Sequence, residues 1–409
     1  MKLRTGISVF IIILTCPRVA RATEGLEPIN TSMHARARGG ADVAVGDTAL
    51  SQIDNPASLS LQRKYRFDFS GQLLMPTMHW TGPIDKSTSR GLHPLANLAI
   101  AVPLDEKLSI GFAMQSKSGL GSDYQMRHTL IPLMDRHVYS DMKNLSLSFN
   151  AAYRLTDKLS IGAGLRGEGV TARFGAVLGP GGMDFGRGYA YGGGFQLGLH
   201  YQATDTVALG LAYRSPTWFG DLSGGGLDIS MLGLPSIRVG DANIDEFRLP
   251  QKISAGVAWD ATDWWKVVGE VRWTNYACST FHDTTVATDG PIDLRFPLPV
   301  GFQDQWSFIL GSEFELDEHW TLGVGYHYAT AVVPRTHLFP ITPATLQHHI
   351  TTGLRYERDN WWVGAGYIYG FNSTIRGFGE NSIPMGFEFG QSKIEHHQHS
   401  VFFGFGFSW

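Results

Sequence analysis

From residue 64 to the carboxyl terminus, apolar residues alternate with small or polar ones in segments of about ten residues. No other feature narrows the possible folds of this chain so far. In NLSLSFNAAYR, Leu145, Leu147, Phe149, Ala151 and Tyr153 fall on one face of a strand, and Asn144, Ser146, Ser148, Asn150 and Arg154 fall on the other. In LSIGAGLRGE, Leu159, Ile161, Ala163 and Leu165 oppose Ser160, Gly162, Gly164, Arg166 and Glu168, so charge keeps to the small-residue face. The tail HSVFFGFGFSW sets Phe403, Phe405, Phe407 and Trp409 against Gly404, Gly406 and Ser408. Water penalises such a stripe at a fraying end, whereas hydrocarbon accommodates it. Beyond the N-terminal stretch no apolar run reaches the 18 residues of a spanning helix, so any membrane span must be a strand.

The connections carry a second pattern. Short turns rich in Asp and Thr stand at 103–108, 154–159, 202–207, 260–265, 315–320 and 357–362, and between them lie long Gly/Pro-containing segments at 118–142, 215–248, 280–304, 330–346 and 371–396. Short turns at one rim and long loops at the other characterise outer-membrane barrels. Two strands per short turn, with one more at each end, predict an all-β fold: a transmembrane antiparallel barrel of about fourteen strands. Trp264, Trp265, Trp320, Trp361 and Trp362 flank the short turns as an aromatic girdle would. A soluble sandwich or propeller also alternates, but does not normally repeat this turn asymmetry or end in bare aromatics.

Only 17% of residues are charged, against roughly 25% in soluble domains. A net charge of -4 provides no basic footprint for nucleic acid. The start, MKLRTGISVFIIILTCPRVARA, orders Lys2 and Arg4, an apolar run at 7–14 and Ala20-Arg21-Ala22 as a secretory signal peptide does, predicting removal of 1–22. Cys16 sits in a poor lipobox, and Cys278 is then the one remaining cysteine, so no intrachain disulfide can form.

The stretch GGADVAVGDTALSQIDNPASLSL (39–61) resembles the N-terminal hatch of the FadL-type long-chain fatty acid outer-membrane transporter family, through Gly39, Gly40 and Ala41 and through Asn55, Pro56 and Ala57. AYRSPTWFGDLSG (212–224) and the segments 248–276 and 323–357 extend the resemblance along the chain. It implies a hatch at 23–63 plugging a barrel at 64–409, and passive uptake of hydrophobic small molecules such as long-chain fatty acids. Capture would occur at extracellular loops, with sideways exit at a kinked third strand, about 108–118. A lumen of fourteen strands is too wide for side chains alone to fill, which suits a plug. The implied surroundings are outer-membrane lipid and lipopolysaccharide, with barrel-assembly machinery reading the terminal aromatic. The protein is expected to be a monomer without cofactor or metal. An aromatic hydrocarbon channel, and a surface interaction protein such as an adhesin or phage receptor, stay open as alternatives.

Particular residues follow from these readings. Trp218, Phe219, Leu222, Leu227, Met231 and Leu232 in the loop 215–248 are expected to join Phe174 and Phe185 in an exposed apolar capture site. Lumen-facing Arg166, Arg214 and Arg272 are candidates to steady a substrate carboxylate, with pairing to Glu168 or Glu270 as the alternative. His34, Arg36 and Arg38, among few large apolar residues, argue for a ligand less lipid-like than a fatty acid. His348, His349, His396, His397 and His399 read as polar strand junctions, since neighbours on a strand point to opposite faces. With no G-x-S-x-G or phosphate loop, an enzyme is not expected.

Overall fold

The computed structural model describes residues 25–117, 119–231, 234–290 and 293–409, so the expected signal at 1–22, and Leu232, lie outside the described residues. Fourteen antiparallel strands close into a barrel. They are β1 (Arg66–Thr81), β2 (His93–Pro103), β3 (Leu108–Lys117), β4 (Ile131–Arg154), β5 (Leu159–Leu178), β6 (Gly181–Gln202) and β7 (Val207–Arg214). The second half comprises β8 (Gln251–Thr262), β9 (Trp265–Asn275), β10 (Gln305–Glu315), β11 (Trp320–Ala329), β12 (His348–Arg358), β13 (Trp361–Arg376) and β14 (Lys393–Ser408). The ring closes where β14 pairs with β1 from Arg66↔Ser408 to Thr81↔Lys393.

All six short turns are hairpins, and their composition has a local cause. The Asp105 carboxylate accepts from the N–H groups of Lys107 (2.7 Å) and Leu108 (2.8 Å), and Asp317 accepts likewise from His319 and Trp320. Thr156 and Thr204 use their hydroxyls in the same way. Side chains that bond the backbone two or three residues on make the reversal without glycine.

The alternation sorts the faces. Leu147, Phe149, Ile161, Leu165, Phe403, Phe405 and Phe407 are exposed on the outer face, while Ser146, Ser148, Asn150, Arg166 and Glu168 are buried inside. Trp362 departs from the girdle. It follows lipid-facing Trp361 by one residue, so it points inward, where its indole donates to Asp68 at 2.7 Å and meets the edge of His34.

Two of the long segments, 118–142 and 215–248, are mostly strand and not the loops expected. Strands β4, β5 and β6 run 24, 20 and 22 residues, about twice the 9–11 needed to cross a bilayer. Short strands at Gly121–His128 and Leu222–Met231 pair with the upper halves of β4 and β6, and Ile237–Ile244 pairs with Leu222–Met231 in turn, which extends the ladder where bare edges would otherwise stand in water. A continuous apolar cluster lies among these extensions, including Phe174, Phe185, Phe219, Phe247, Phe302 and Phe339.

Candidate functional site

Residues 25–62 lie against the inner wall. A five-residue helix, α1 (Met33–Ala37), is followed by Gly39 and Gly40 with φ of +82° and +101°, a left-handed conformation that favours glycine. The Gly39 N–H donates to Thr351 of β12, and its carbonyl meets His327 of β11. Inward-facing barrel glycines admit this backbone closely: a Cβ on Gly325 would fall 2.1 Å from the Gly39 nitrogen, and one on Gly162 would fall 2.3 Å from the Ala57 nitrogen. Apolar contact is made by small residues, with Ala49, Leu50, Ile53 and Leu59 meeting Ala99, Ala101, Ala113 and Ala152.

Asn55 is fully buried before a turn of 3-10 helix at Pro56–Leu61. Its side-chain carbonyl accepts from the Ala57 N–H at 3.0 Å, and its amide donates to the carbonyls of Val43 (2.7 Å) and Leu199 (2.9 Å). Each such bond contributes about 1 kcal/mol net, and the fixed φ of Pro56 suits the first helical position. Asn55→Ala is therefore expected to loosen the segment and raise single-channel conductance in planar bilayers while heat-modifiable folding persists. Unchanged conductance would remove a gating role for the motif.

The three candidate arginines face inward and already hold partners. Arg166 pairs with Glu168 and donates to the Ser215 carbonyl at 2.9 Å. Arg272 pairs with Glu270 and bonds the Gly40 carbonyl. Glu270 in turn accepts from the Asp42 N–H at 2.8 Å and the Val43 N–H at 3.0 Å, so this pair ties the N-terminal segment to β9. Arg214 pairs with Glu27, a residue with no sequence signal of its own. Lys252 reaches the same carboxylate at 2.7 Å, and Lys117 stands 4.0 Å away. Burial alone would raise the Glu27 pKa, but Arg214, Lys252 and Lys117 hold its carboxyl well below the usual carboxylate range.

The apolar candidates divide. Phe174 and Phe185 stack with centroids 5.0 Å apart, Leu227 pairs opposite Phe185, and Phe219 and Leu222 join the same buried cluster. The expected exposed capture surface is thus a buried core in this conformation. Trp218 and Met231 stay outside it, 46% and 55% exposed. The cause is alternation within Thr217–Phe219, which turns Trp218 out and Phe219 in.

Beside β3 the wall is incomplete. The β2–β3 ladder stops at Asn97↔Gln115, while β3 continues along β4 to Lys117↔Asn144. Pro94 cannot donate to a ladder, and the Ser116 N–H is taken by the Asn97 side chain at 3.0 Å instead. A cavity of about 600 Å³ occupies this place. Glu27, Lys117, His349 and His396 line it from the inside together with inward-facing Leu74 and Leu95, and exposed Leu92, Leu145 and Tyr191 line its outer end. His349 and His396 read from the sequence only as polar strand junctions, because nothing in their spacing marked a cavity. Among the described residues no cluster of His, Cys, Asp or Glu has the arrangement of a metal site.

Comparison with known proteins places this geometry. A family model described as "Outer membrane protein transport protein (OMPP1/FadL/TodX)" matches residues 19–383. Outer membrane protein P1 of Haemophilus influenzae is 24% identical over 407 residues, covering 84% of each chain. Among solved structures, the P. putida toluene transporter TodX superposes with a TM-score of 0.80 at 21% identity, covering 94% of this chain and 99% of that one. A Pseudomonas aeruginosa FadL homologue superposes with a TM-score of 0.77 at 14% identity, covering 94% and 99%.

Proposed function

The chain belongs to the outer membrane transport protein family described as OMPP1/FadL/TodX, and from that membership we propose passive uptake of a hydrophobic molecule with an acidic head, of the long-chain fatty acid type. The protein is a transporter of the bacterial outer membrane, not an enzyme. One observation carries the finer reading: the cavity beside β3 runs from Glu27 and buried Lys117, past inward-facing Leu74, to exposed, lipid-facing Leu145. Each CH₂ moved from water into hydrocarbon is worth about 0.8 kcal/mol, so transfer through such a breach is downhill without an energy source.

In this reading Trp218 and Met231 at the rim make first contact, and the cluster around Phe174, Phe185, Phe219 and Leu222 opens to receive the apolar tail. Residues 23–63 act as a hatch that closes the straight route, hinged at Gly39 and Gly40 and pinned by Asn55, Pro56 and Ala57. The head group replaces Glu27 among Arg214, Lys252 and Lys117. Arg166 and Arg272 hold the wall and the hatch around that exchange.

Gly121 borders the breach, and even a Cβ there would fall 2.8 Å from the His93 ring. Gly121→Trp should close the mouth and reduce uptake of radiolabelled oleate to that of cells lacking the protein. Full uptake by a folded Gly121→Trp barrel would refute the sideways route. The stacked Phe174–Phe185 pair and the edge-on Phe219–Phe247 pair favour a second reading, an aromatic hydrocarbon as substrate. Uptake of toluene but not oleate by the wild type would select it.

A further inference from the structure

Where β4, β5 and β6 emerge above the apolar belt, we infer that their outer face holds a binding site for the phosphate of an outer-leaflet lipid, lipid A. The site is centred on Asp141, which three cations surround: Arg187 at 2.5 Å, Arg173 at 3.4 Å and Lys143 at 3.6 Å. With Asp184 on the neighbouring strand counted, two carboxylates against three cations leave one positive charge over. The side chains of Lys143 and Arg173 are 71% and 48% exposed, so their charge faces outward, away from the lumen. Asp184, on the neighbouring strand, is engaged by the Tyr139 hydroxyl at 3.0 Å, and Arg173 lies over the Tyr139 ring at 5.4 Å.

Height fixes the kind of anion. Lys143 and Thr171 form one rung of the β4–β5 ladder, and the next rung on the same face toward the periplasm is Leu145 and Gly169. Exposed Leu145 and Tyr191 mark the top of the lipid-facing belt. Asp141 and Leu145 thus bracket the level where acyl chains give way to head groups, and a phosphate borne on an acyl-chain lipid lies at that level beside both the cations and Leu145. Guanidinium groups suit it because they hold phosphate oxygens through paired charge-assisted bonds. Basic clusters at the membrane surface recognise anionic head groups in this manner. Asp141 and Lys143 also line the cavity beside β3, so the lipid would stand at the mouth of the breach.

The test uses the full barrel in detergent, exchanged with lipid A, with lipid A stripped of its phosphates, or with inorganic phosphate, and weighed by native mass spectrometry. Wild type should retain lipid A at least about tenfold better than the dephosphorylated lipid, and Lys143→Ala with Arg173→Ala and Arg187→Ala should erase that preference. Should the triple variant not fold, Lys143→Glu alone and the wild-type comparison of the two lipids still decide. Equal retention of the two lipids by wild type, or an undiminished preference in the variants, would overturn the site. Retention of inorganic phosphate in place of lipid A would overturn it as a lipid site.

Discussion

Replacing Arg38 with alanine is expected to free the N-terminal segment from the wall and turn a closed barrel into a conducting one. The Arg38 guanidinium is fully buried and donates to Asp42 (2.5 Å), Asp47 (2.7 Å), Glu313 of β10 (3.0 Å) and the Ala41 carbonyl (2.8 Å). Its removal leaves three carboxylates with Arg355, 3.6 Å from Glu313 and 4.0 Å from Asp47, as the nearest remaining cation. Breaking a buried pair on one side costs about 3–5 kcal/mol, because the charge left behind has neither water nor a partner. Lysine should restore little, since one ammonium cannot fork among three acceptors. Single-channel conductance and trypsin cleavage within 25–62 provide the readout. A folded Arg38→Ala barrel with wild-type conductance and cleavage would show that the segment is held by its apolar contacts instead.

Glu27→Gln is expected to raise affinity for a lipophilic acid by about tenfold and leave its alcohol analogue unchanged. The substitution removes the charge that neutralises Arg214 and Lys252 while keeping the side chain's shape, and leaves Lys117 paired with Glu168 at 2.9 Å. A ligand carboxylate then meets Arg214 and Lys252, with Lys117 nearby, without having to displace one of the chain's own carboxylates. Arg214→Ala placed on top should cancel the gain, because the guanidinium supplies the paired contact. Displacement of a fluorescent fatty acid by oleate and by oleyl alcohol measures both arms. Equal changes for acid and alcohol would mean that the variant merely loosens the segment, and the carboxylate reading of this cluster would fall.

The barrel was legible because a strand's side chains alternate strictly, so each residue's face follows from its parity. Leu145 to Tyr153 and Phe403 to Phe407 declare the lipid side in this way. The hairpins were legible because Asp105, Thr156, Thr204 and Asp317 act on backbone groups two or three residues away. The extensions of β4 to β6 were not, because glycine-rich stretches such as 186–194 look like loop until neighbouring strands offer them a ladder. Trp362 misled for a related reason: proximity to a turn does not override parity, and parity sent it inward to Asp68.

By itself, the sequence determined the architecture: all-β, about fourteen strands with six short turns, and a lipid-facing stripe that ends in aromatics. Tertiary structure alone decided what the inner face is for. Glycines at 162 and 325 read simply as small, yet they are where the backbone at Ala57 and Gly39 comes against the wall. Arg214 read as a candidate for a substrate carboxylate or a partner of Glu168 or Glu270, yet Glu27, 187 residues away in sequence, pairs with it. The breach likewise depends on where the β2–β3 ladder stops relative to β4. Face assignment is local, set by a period of two along one strand, whereas pairing across a lumen joins residues that only closure of the ring brings together.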